Sequence, residues 1–411
     1  MDIRVEQGCP QCGASIVLDE TDQLLTCSFC GVKNFLQSSG PFRYVLPVKK
    51  KADQPLLLAP YLRFKGTIFL VTSEGISHRV VDTTQSGTPI AALPASLGVR
   101  PQAMRLQRID AVAGNRYLPQ QLKASAILEK AVAVSSLATK VGQGLYHRAY
   151  IGESLSYIYL PMMEKQGALF DAVTDLQLAG REMLAPASLQ TISYDPSWQV
   201  RFLATLCPHC GATLDGEGDC RVMTCANCHS AWALAKKGLE RLEYRLVPGN
   251  SETELYLPFW KISGHIPALG IYSFADFVQR TNQPFLPKLE WQERIMSLWI
   301  PAVKLRPKIF LQAGRQATLG QWQLKPVEDK LPKELFPATL AATEAKQAAK
   351  IILAAATTSP RLVYPYLPKV QLTDVLIQLI YLPFIDKGHD WVQPETGVVI
   401  GKNILEFGRS M

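Results

Sequence analysis

The chain carries a paired cysteine motif near its start, Cys9-Pro10-Gln11-Cys12-Gly13-Ala14, and a second pair, Cys27-Ser28-Phe29-Cys30, follows after a spacer of 14 residues. The arrangement returns 198 residues later as Cys207-Pro208-His209-Cys210-Gly211-Ala212, followed after 14 residues by Cys225-Ala226-Asn227-Cys228. Of the nine cysteines in the chain, eight belong to these two tetrads. One tetrad lies at the start of each half of the chain, so the prediction of the fold begins from the positions of the two tetrads.

Each tetrad has the composition of a structural zinc site. Two residues between paired cysteines let both thiolates of a tight turn face one ion, and the glycine that follows tolerates the left-handed backbone that ends the turn. Two such turns at the ends of a short hairpin form the closed tetrahedral sulfur site of a zinc ribbon. We therefore predict two structural Zn²⁺ ions. Their predicted ligands are Cys9, Cys12, Cys27, Cys30, Cys207, Cys210, Cys225 and Cys228.

Other uses of the cysteines fit less well. Disulfides need an oxidising compartment, and the N-terminal sequence MDIRVEQGCP has no export signal. A redox dithiol would need one Cys-x-x-Cys pair, not two in each half. Iron remains open, because four thiolates alone do not exclude it. We expect Cys220 to be a bystander, and His209 and His229 to lie beside the second site without binding the metal.

The repeat extends beyond the cysteines. Residues 59–68, Ala-Pro-Tyr-Leu-Arg-Phe-Lys-Gly-Thr-Ile, align with residues 257–266, Leu-Pro-Phe-Trp-Lys-Ile-Ser-Gly-His-Ile, at the same offset of 198. The sequence Ile-Tyr-Leu-Pro at 158–161 returns at 380–383, now at an offset of 222. These matches predict an internally duplicated α+β protein, in which each half is a four-cysteine zinc ribbon followed by a mixed strand and helix domain.

The duplication predicts four segments. They are a first zinc ribbon at 1–37, a first α+β copy at 41–195, a second zinc ribbon at 199–236 and a second α+β copy at 240–411. Candidate linkers, each containing proline, are 37–41, 194–198 and 326–332.

Local patterns predict the main elements of each copy. Alternating apolar and polar residues predict strands at 66–73 and 254–266. Helical periodicity predicts an amphipathic helix over 119–141 and its counterpart over 335–356. Residues 373–382 suit either a buried helix or a strand, and the pattern does not decide between them.

Composition indicates a globular protein of ordinary charge. Hydrophobic residues make up 47% and charged residues 19% of the 411 residues. Apolar runs such as 375–385 are shorter than the roughly 18 residues that a spanning helix needs. The net charge of +8 is thinly spread, whereas nucleic-acid binders usually show a dense basic patch. We expect a soluble, cytoplasmic protein without an integral membrane segment.

We find no catalytic motif in the sequence and predict no catalytic residues. There is no phosphate-binding glycine loop and no Gly-x-Ser-x-Gly elbow. The pair His389-Asp390 is suggestive, but the stretch Lys387-Gly388-His389-Asp390 is equally typical of a surface turn. Trp260 and Lys261 could stack on and pair with a base, but aromatic residues beside proline more often pack into a core. We expect Trp260 to be a core residue.

The motifs resemble a largely uncharacterised group of bacterial proteins with a zinc ribbon of the basal-transcription-factor type. The resemblance rests on the Cys-Pro-x-Cys-Gly-Ala ribbons, on Tyr44-Val45-Leu46-Pro47-Val48 and on the Leu-Pro-Phe-Trp-Lys strand at 257–261, which together cover about a third of the chain. It implies metal ligation by the eight cysteines and nothing catalytic. Several members look membrane-attached, and this sequence departs from them because it lacks a spanning segment.

Three functional hypotheses follow. The leading one is a zinc-binding, non-enzymatic adaptor or scaffold that acts through a protein partner, because two closed metal sites offer rigid turns for docking. The alternative is a nucleic-acid-binding protein that uses the ribbons and the aromatic and basic strands, with affinity that falls steeply with salt. A second alternative is an enzyme with an unrecognised site between the halves, in which His147, His389 or buried carboxylates would line a cleft.

Overall fold

The computed structural model describes residues 3–49, 54–112, 114–133, 144–180, 189–235, 238–250 and 252–407. The chain divides into two compact units. The first contains Met1–Lys65, Val81–Ser136 and Ser154–Thr205, and the second contains Gly66–Val80, Leu137–Glu153 and Leu206–Met411. Each unit holds one cysteine tetrad. The segments 66–80 and 137–153, which the sequence assigns to the first α+β copy, belong to the second unit.

The first unit is built mainly from strands. These are β1 Arg4–Gly8, β2 Ser15–Asp19, β3 Leu24–Thr26, β4 Lys33–Gln37, β5 Phe42–Val45, β6 Leu57–Thr72, β7 Gly75–Ser86, β8 Arg105–Arg108, β9 Arg116–Tyr117, β10 Leu145–Lys165, β11 Ala168–Asp171, β12 Gln177–Ala179 and β13 Arg201–Ala204. Its helices are α1 Arg100–Ala103 and α2 Ala124–Ala133. Three of the strands, β6, β7 and β10, continue into the segments of the second unit.

One mixed sheet contains most of these strands. Its order is β12-β11-β10-β5-β8-β1-β2, and β6 pairs with β10, β7 and β9. Strand β5 lies parallel to β10 with Val45 opposite Tyr159, and the N–H of Leu46 donates to Tyr159 O at 3.1 Å. Strand β6 lies parallel to β9 with Leu58 opposite Tyr117. These pairings place the strand that follows the first ribbon, β5, inside the sheet.

A separate three-stranded sheet carries half of the first tetrad. Strand β4 pairs antiparallel with β3 on one side and with β13 on the other. The hydroxyl of Thr205, just after β13, donates to Lys33 O at 3.3 Å. The strand that completes the first ribbon therefore comes from the residues that immediately precede Cys207.

The second unit contains the remaining elements. Its further strands are β14 Val222–Cys225, β15 Ser230–Ala235, β16 Gly238–Leu242, β17 Tyr244–Leu246, β18 Thr253–His265, β19 Ser297–Pro301, β20 Thr373–Asp386, β21 Asp390–Val392 and β22 Val399–Gly401. Its helices are α3 Phe274–Arg280, α4 Pro307–Leu319, α5 Ala342–Ala355, α6 Pro360–Val363 and α7 Lys402–Phe407. Within the described ranges, every helix is too short or too polar to span a bilayer.

Two sheets organise the second unit. Strands β14, β15 and β16 form the antiparallel sheet of the second ribbon. The larger sheet has the order β19-β18-β20-β21-β22, with β17 parallel to β20. Helix α4 packs closely on β19, since a Cβ at Gly314 would lie 3.0 Å from Trp299 O and 2.6 Å from Ile352 Cδ1. The glycine therefore allows α4 to approach both β19 and α5.

Trp260 lies in the core of the second unit. Its side chain is 2% exposed, and its indole N–H donates to Leu340 O at 2.8 Å. Phe259, Trp299 and Phe310 are buried in the same cluster. The prediction that Trp260 is a core residue is confirmed, and the buried ring has no free face on which a base could stack.

Most local predictions are confirmed with shifted boundaries. The predicted strands at 66–73 and 254–266 lie within or overlap β6 and β18, and the ambiguous residues 373–382 belong to β20. Helix α2 occupies part of the predicted 119–141, and residues 134–143 lie outside the described residues.

One predicted helix boundary and one predicted linker differ from the structure because of tertiary contacts. Helix α5 begins at Ala342 and not at residue 335, because the N–H of Phe336 donates to Tyr256 O at 2.9 Å and holds the preceding chain extended. The candidate linker 194–198 contains a 3₁₀ turn, Pro196–Trp198, and the Trp198 ring lies edge-on to Tyr117 at 5.3 Å. This segment is therefore packed within the first unit and does not act as a free linker.

Candidate metal centres

Each cysteine pair of the first tetrad lies in a tight turn. The N–H of Gly13 donates to Cys9 O, and the N–H of Gly31 donates to Cys27 O, both at 2.9 Å. The φ angles of the two glycines are 73° and 72°, a left-handed conformation that glycine adopts without steric strain. In the second tetrad, Gly211 repeats this geometry, and His229 takes the left-handed conformation at the position equivalent to Gly31.

The turns bring four sulfur atoms together in each tetrad. In both groups, all four Sγ atoms lie within 4.8 Å of one another. The shortest Sγ–Sγ distances are 3.7 Å for Cys9–Cys30 and Cys12–Cys27, 3.6 Å for Cys207–Cys228 and 3.5 Å for Cys210–Cys225. None of these cysteines forms a disulfide.

This spacing fits a tetrahedral metal site. Four sulfurs at about 2.3 Å from a central Zn²⁺ lie about 3.8 Å from one another, which is close to the measured separations. We searched the described part of the chain for groups of three or more His, Cys, Asp or Glu side chains that could hold a metal, and the two tetrads are the groups found. The eight cysteines singled out in the sequence are thus brought together in two groups of four, and each group could hold one metal ion.

Burial differs within each cysteine pair. Cys9, Cys27, Cys207 and Cys225, the first members of the pairs, are buried, whereas the second members, Cys12, Cys30, Cys210 and Cys228, are exposed or half-buried. Each tetrad therefore has one side anchored in the ribbon and one side at the surface. This arrangement gives an ion a path to the site from solvent.

Hydrogen bonds prepare some of the thiols for deprotonation. The N–H of Cys12 lowers the pKa of Cys9 to about 6, and the N–H of Cys30 lowers the pKa of Cys27. Burial raises the pKa of Cys207, but hydrogen bonds from the Ser230 hydroxyl and the N–H of Cys210 outweigh it and bring the pKa to about 6. Metals bind the thiolate, so these hydrogen bonds favour the metal-binding form of Cys9, Cys27 and Cys207, whereas burial and the neighbouring thiols raise the pKa of Cys12, Cys30 and Cys225.

The structure adds two polar residues to the second site that the sequence analysis missed. The Ser230 hydroxyl lies 3.0 Å from Cys228 Sγ and 3.6 Å from Cys207 Sγ. A hydrogen bond from the Asn227 side chain lowers the pKa of Cys210. In the sequence, the only signal was their position, because each lies one or two residues from a predicted ligand.

The residues expected not to bind the metal lie outside the tetrads. Cys220 is fully buried, and burial raises the pKa of its thiol to about 12. His209 and His229 belong to neither group of candidate ligands. The O of His229 instead accepts a hydrogen bond from the Tyr244 hydroxyl at 2.7 Å.

The histidines considered for catalysis occupy separate structural positions. His389 is exposed in a turn closed by the hydrogen bond from Lys387 N to Asp390 O at 2.9 Å, as the surface-turn interpretation predicts. His147 lies on β10, where burial and the charge of Lys350 lower its pKa to about 4.

No protein-family model, curated protein or solved structure matches this chain. The two clusters are compatible with zinc-ribbon-like motifs. The assignment of function therefore depends on the chemistry of the tetrads and on the surfaces that surround them.

Proposed function

We propose that the chain is a zinc-binding, non-enzymatic adaptor that acts through protein–protein contacts. The observation that carries the proposal is the pair of closed four-sulfur sites. Four thiolates complete the tetrahedral coordination of zinc, so neither site leaves a position for water or substrate. Zinc in such a site stabilises the fold, with a binding free energy of about 10–16 kcal/mol in small ribbons. Iron with four thiolates has the same ligand set, and metal analysis distinguishes the two.

We also propose that the two halves arose by duplication. Equivalent backbone hydrogen bonds in the two halves support this, although the offset between matched residues varies from 198 to 222. In the first half, Leu118 N donates to Leu58 O, Gly87 N to Pro60 O and Leu46 N to Tyr159 O. The matching bonds of the second half, in the same order, are Phe336 N to Tyr256 O, Ala302 N to Pro258 O and Val247 N to Tyr381 O. All six bonds measure 2.9 to 3.1 Å. Shared bonds of this kind follow naturally from one ancestral topology used twice.

Exposed apolar side chains favour a protein partner. Leu286 and Leu289 lie in the segment between α3 and β19 and are 89% and 82% exposed. Phe29, in the turn of the first tetrad, is 74% exposed. Exposed apolar groups gain most free energy by contact with another apolar surface, and they gain little from a phosphate backbone.

The charge of the ribbons disfavours nucleic acid as the partner. Residues 1–37 carry five acidic and two basic side chains, a net charge of −3, and residues 199–236 carry three of each. A zinc ion bound by four thiolates adds a further −2 to each ribbon. Nucleic-acid affinity arises mainly from cations that neutralise phosphates, and these ribbons lack a surplus of them.

The test begins with metal content and continues with partner capture. Elemental analysis of the purified full chain should find two zinc ions per chain. Tagged chain, isolated from its native cell with and without nuclease, should retain a stoichiometric protein, and calorimetry with the purified partner should give saturable binding. Leu286→Asp combined with Leu289→Asp should weaken that binding, whereas Val99→Asp, at another exposed apolar site, should not. Loss of every partner after nuclease would favour the nucleic-acid alternative, and turnover of a small molecule would favour an enzyme.

A further inference from the structure

We propose that the two metal sites are unequal, so that the second tetrad retains zinc and the first releases it more readily. The difference comes from side chains beside the sulfurs. The Ser230 hydroxyl lies 3.0 Å from Cys228 Sγ in the second tetrad, and Asn227 directly precedes Cys228, whereas Val32 and Phe29 occupy the equivalent positions of the first. This inference rests on the zinc binding proposed above.

The direction of the hydrogen bonds at Ser230 is fixed by its neighbours. The indole N–H of Trp232 lies 2.8 Å from Ser230 Oγ, and indole nitrogen can only donate. The Ser230 oxygen therefore accepts, which leaves its single O–H free to donate. The nearest acceptor is Cys228 Sγ at 3.0 Å, and a metal-bound thiolate can only accept. The result is a buried chain from Trp232 to Ser230 to the sulfur, in which each bond strengthens the next.

Asn227 is a second polar side chain beside the same site. Hydrogen bonding by the Asn227 side chain lowers the pKa of Cys210. Ser230 and Asn227 thus act on Cys228 and Cys210, two of the four predicted ligands. The second tetrad is thus supported by polar side chains as well as by the N–H groups of its turns.

The first tetrad lacks this support because of the residue types at the same positions. Val32 and Phe29 lie 198 residues before Ser230 and Asn227, and neither side chain has a polar atom. Phe29 points outward and is 74% exposed. Asn34, at the position of Trp232, has a buried side-chain nitrogen without a hydrogen-bond partner among the described residues.

The physical consequence is a difference in metal retention. Zinc with four thiolates carries a net charge of −2, and hydrogen bonds donated to the sulfurs spread that charge and stabilise the bound thiolates. Partners that orient metal ligands typically contribute 10- to 100-fold to metal affinity. Zinc should therefore leave the first tetrad before the second when a chelator competes for both.

The experiment uses the full chain loaded with zinc and challenged with EDTA. Zinc release should occur in two phases, and alkylation at the end of the fast phase, read by peptide mass spectrometry, should modify Cys9, Cys12, Cys27 and Cys30 first. Ser230→Val with Asn227→Phe should speed the slow phase about tenfold or more and leave the fast phase unchanged. The reciprocal change, Val32→Ser with Phe29→Asn, should slow the fast phase, since Asn34 can then donate to the new hydroxyl.

A conservative variant separates the hydrogen bond from packing. Ser230 is 2% exposed, so its replacement could disturb the ribbon itself. Ser230→Thr keeps the hydroxyl and should keep the slow phase, which would show that the second ribbon tolerates a change of side-chain volume at this position. The inference would be overturned if the second tetrad were alkylated before the first. It would also be overturned if the rate of the slow phase did not change in Ser230→Val with Asn227→Phe. A chain that holds no zinc at all would instead reject the proposed function.

Discussion

The guanidinium of Arg63 lies 2.6 Å from the carboxylate of Glu20, and their side chains are 0% and 2% exposed. Arg63 belongs to β6, and Glu20 lies in the turn between β2 and β3 of the first ribbon. Asp82 also pairs with Arg63, and the Ser154 hydroxyl donates to Glu20 at 3.1 Å. This buried network fixes the first ribbon to the sheet of its own unit.

Removing one partner of this pair should be strongly destabilising. Arg63→Met leaves the Glu20 carboxylate buried without its cation, which should lower the free energy of unfolding by about 3–5 kcal/mol. Denaturant unfolding measures the change. Arg116→Met is the matched control, because its ion pair with Glu164 spans 3.8 Å between half-exposed side chains and should contribute less than about 1 kcal/mol. Equal effects of the two substitutions would contradict the buried network.

Loss of one predicted ligand should remove one zinc and unfold one ribbon. Cys27→Ser replaces a thiolate with a weaker oxygen ligand, so the zinc content should fall from two ions per chain to one. Limited proteolysis should then cleave within the first ribbon while the second stays protected. Cys220→Ser changes a buried cysteine outside both tetrads and should retain two zinc ions. A Cys27→Ser chain with full zinc content would argue against ligation by this tetrad.

His147 should make the stability depend on pH in the acid range. Its pKa is about 4 in the folded protein, because burial and Lys350 disfavour the charged form, against about 6.5 in the unfolded chain. Between these values the unfolded chain binds more protons, so stability is full above pH 6.5 and falls as the pH drops toward 4. The loss attributable to His147 should reach about 3 kcal/mol.

Substitution isolates this contribution from acid release of zinc. In His147→Gln, the free energy of unfolding should differ less between pH 7 and pH 4.5 than it does in wild type. His389→Gln, in an exposed turn, should leave that difference as it is in wild type. Because all three chains share the same tetrads, zinc loss cancels in the comparison, and parallel pH profiles for His147→Gln and wild type would refute the assignment.

Trp260 should behave as a core residue. Trp260→Ala removes a side chain that is 2% exposed and leaves Leu340 O without its donor, which should destabilise the second unit by about 3–5 kcal/mol. Trp260→Phe keeps most of the packing and should lose about 1–3 kcal/mol from the unpaired carbonyl. Phe29→Ala, at a 74% exposed aromatic, should change stability by less than about 0.5 kcal/mol. Calorimetric unfolding measures all three.

Features encoded by short spacing were accessible from the sequence. The turns at Gly13 and Gly31 follow directly from Cys-x-x-Cys-Gly, because such a turn uses only neighbouring residues. The strands β6 and β18 were likewise visible in local alternation. The start of α5 was not, because the hydrogen bond from Phe336 to Tyr256 that delays the helix joins residues 80 positions apart.

The metal sites show the same division. Their eight cysteines could be grouped from spacing alone, but the roles of Ser230 and Asn227 depend on where their polar atoms point. The residue type alone does not predict where either side chain points, because its orientation depends on how the ribbon folds around the sulfurs.

By itself, the sequence determined two cysteine tetrads, their local turns and the strand patterns behind them, because these depend on residues close together in the chain. Only the tertiary structure decided that Arg63 meets Glu20, that β13 completes the first ribbon, and that residues 66–80 and 137–153 belong to the second unit. Such contacts join residues far apart in sequence, and they form where burial of apolar surface and pairing of charge compensate for the entropy lost in closing long loops.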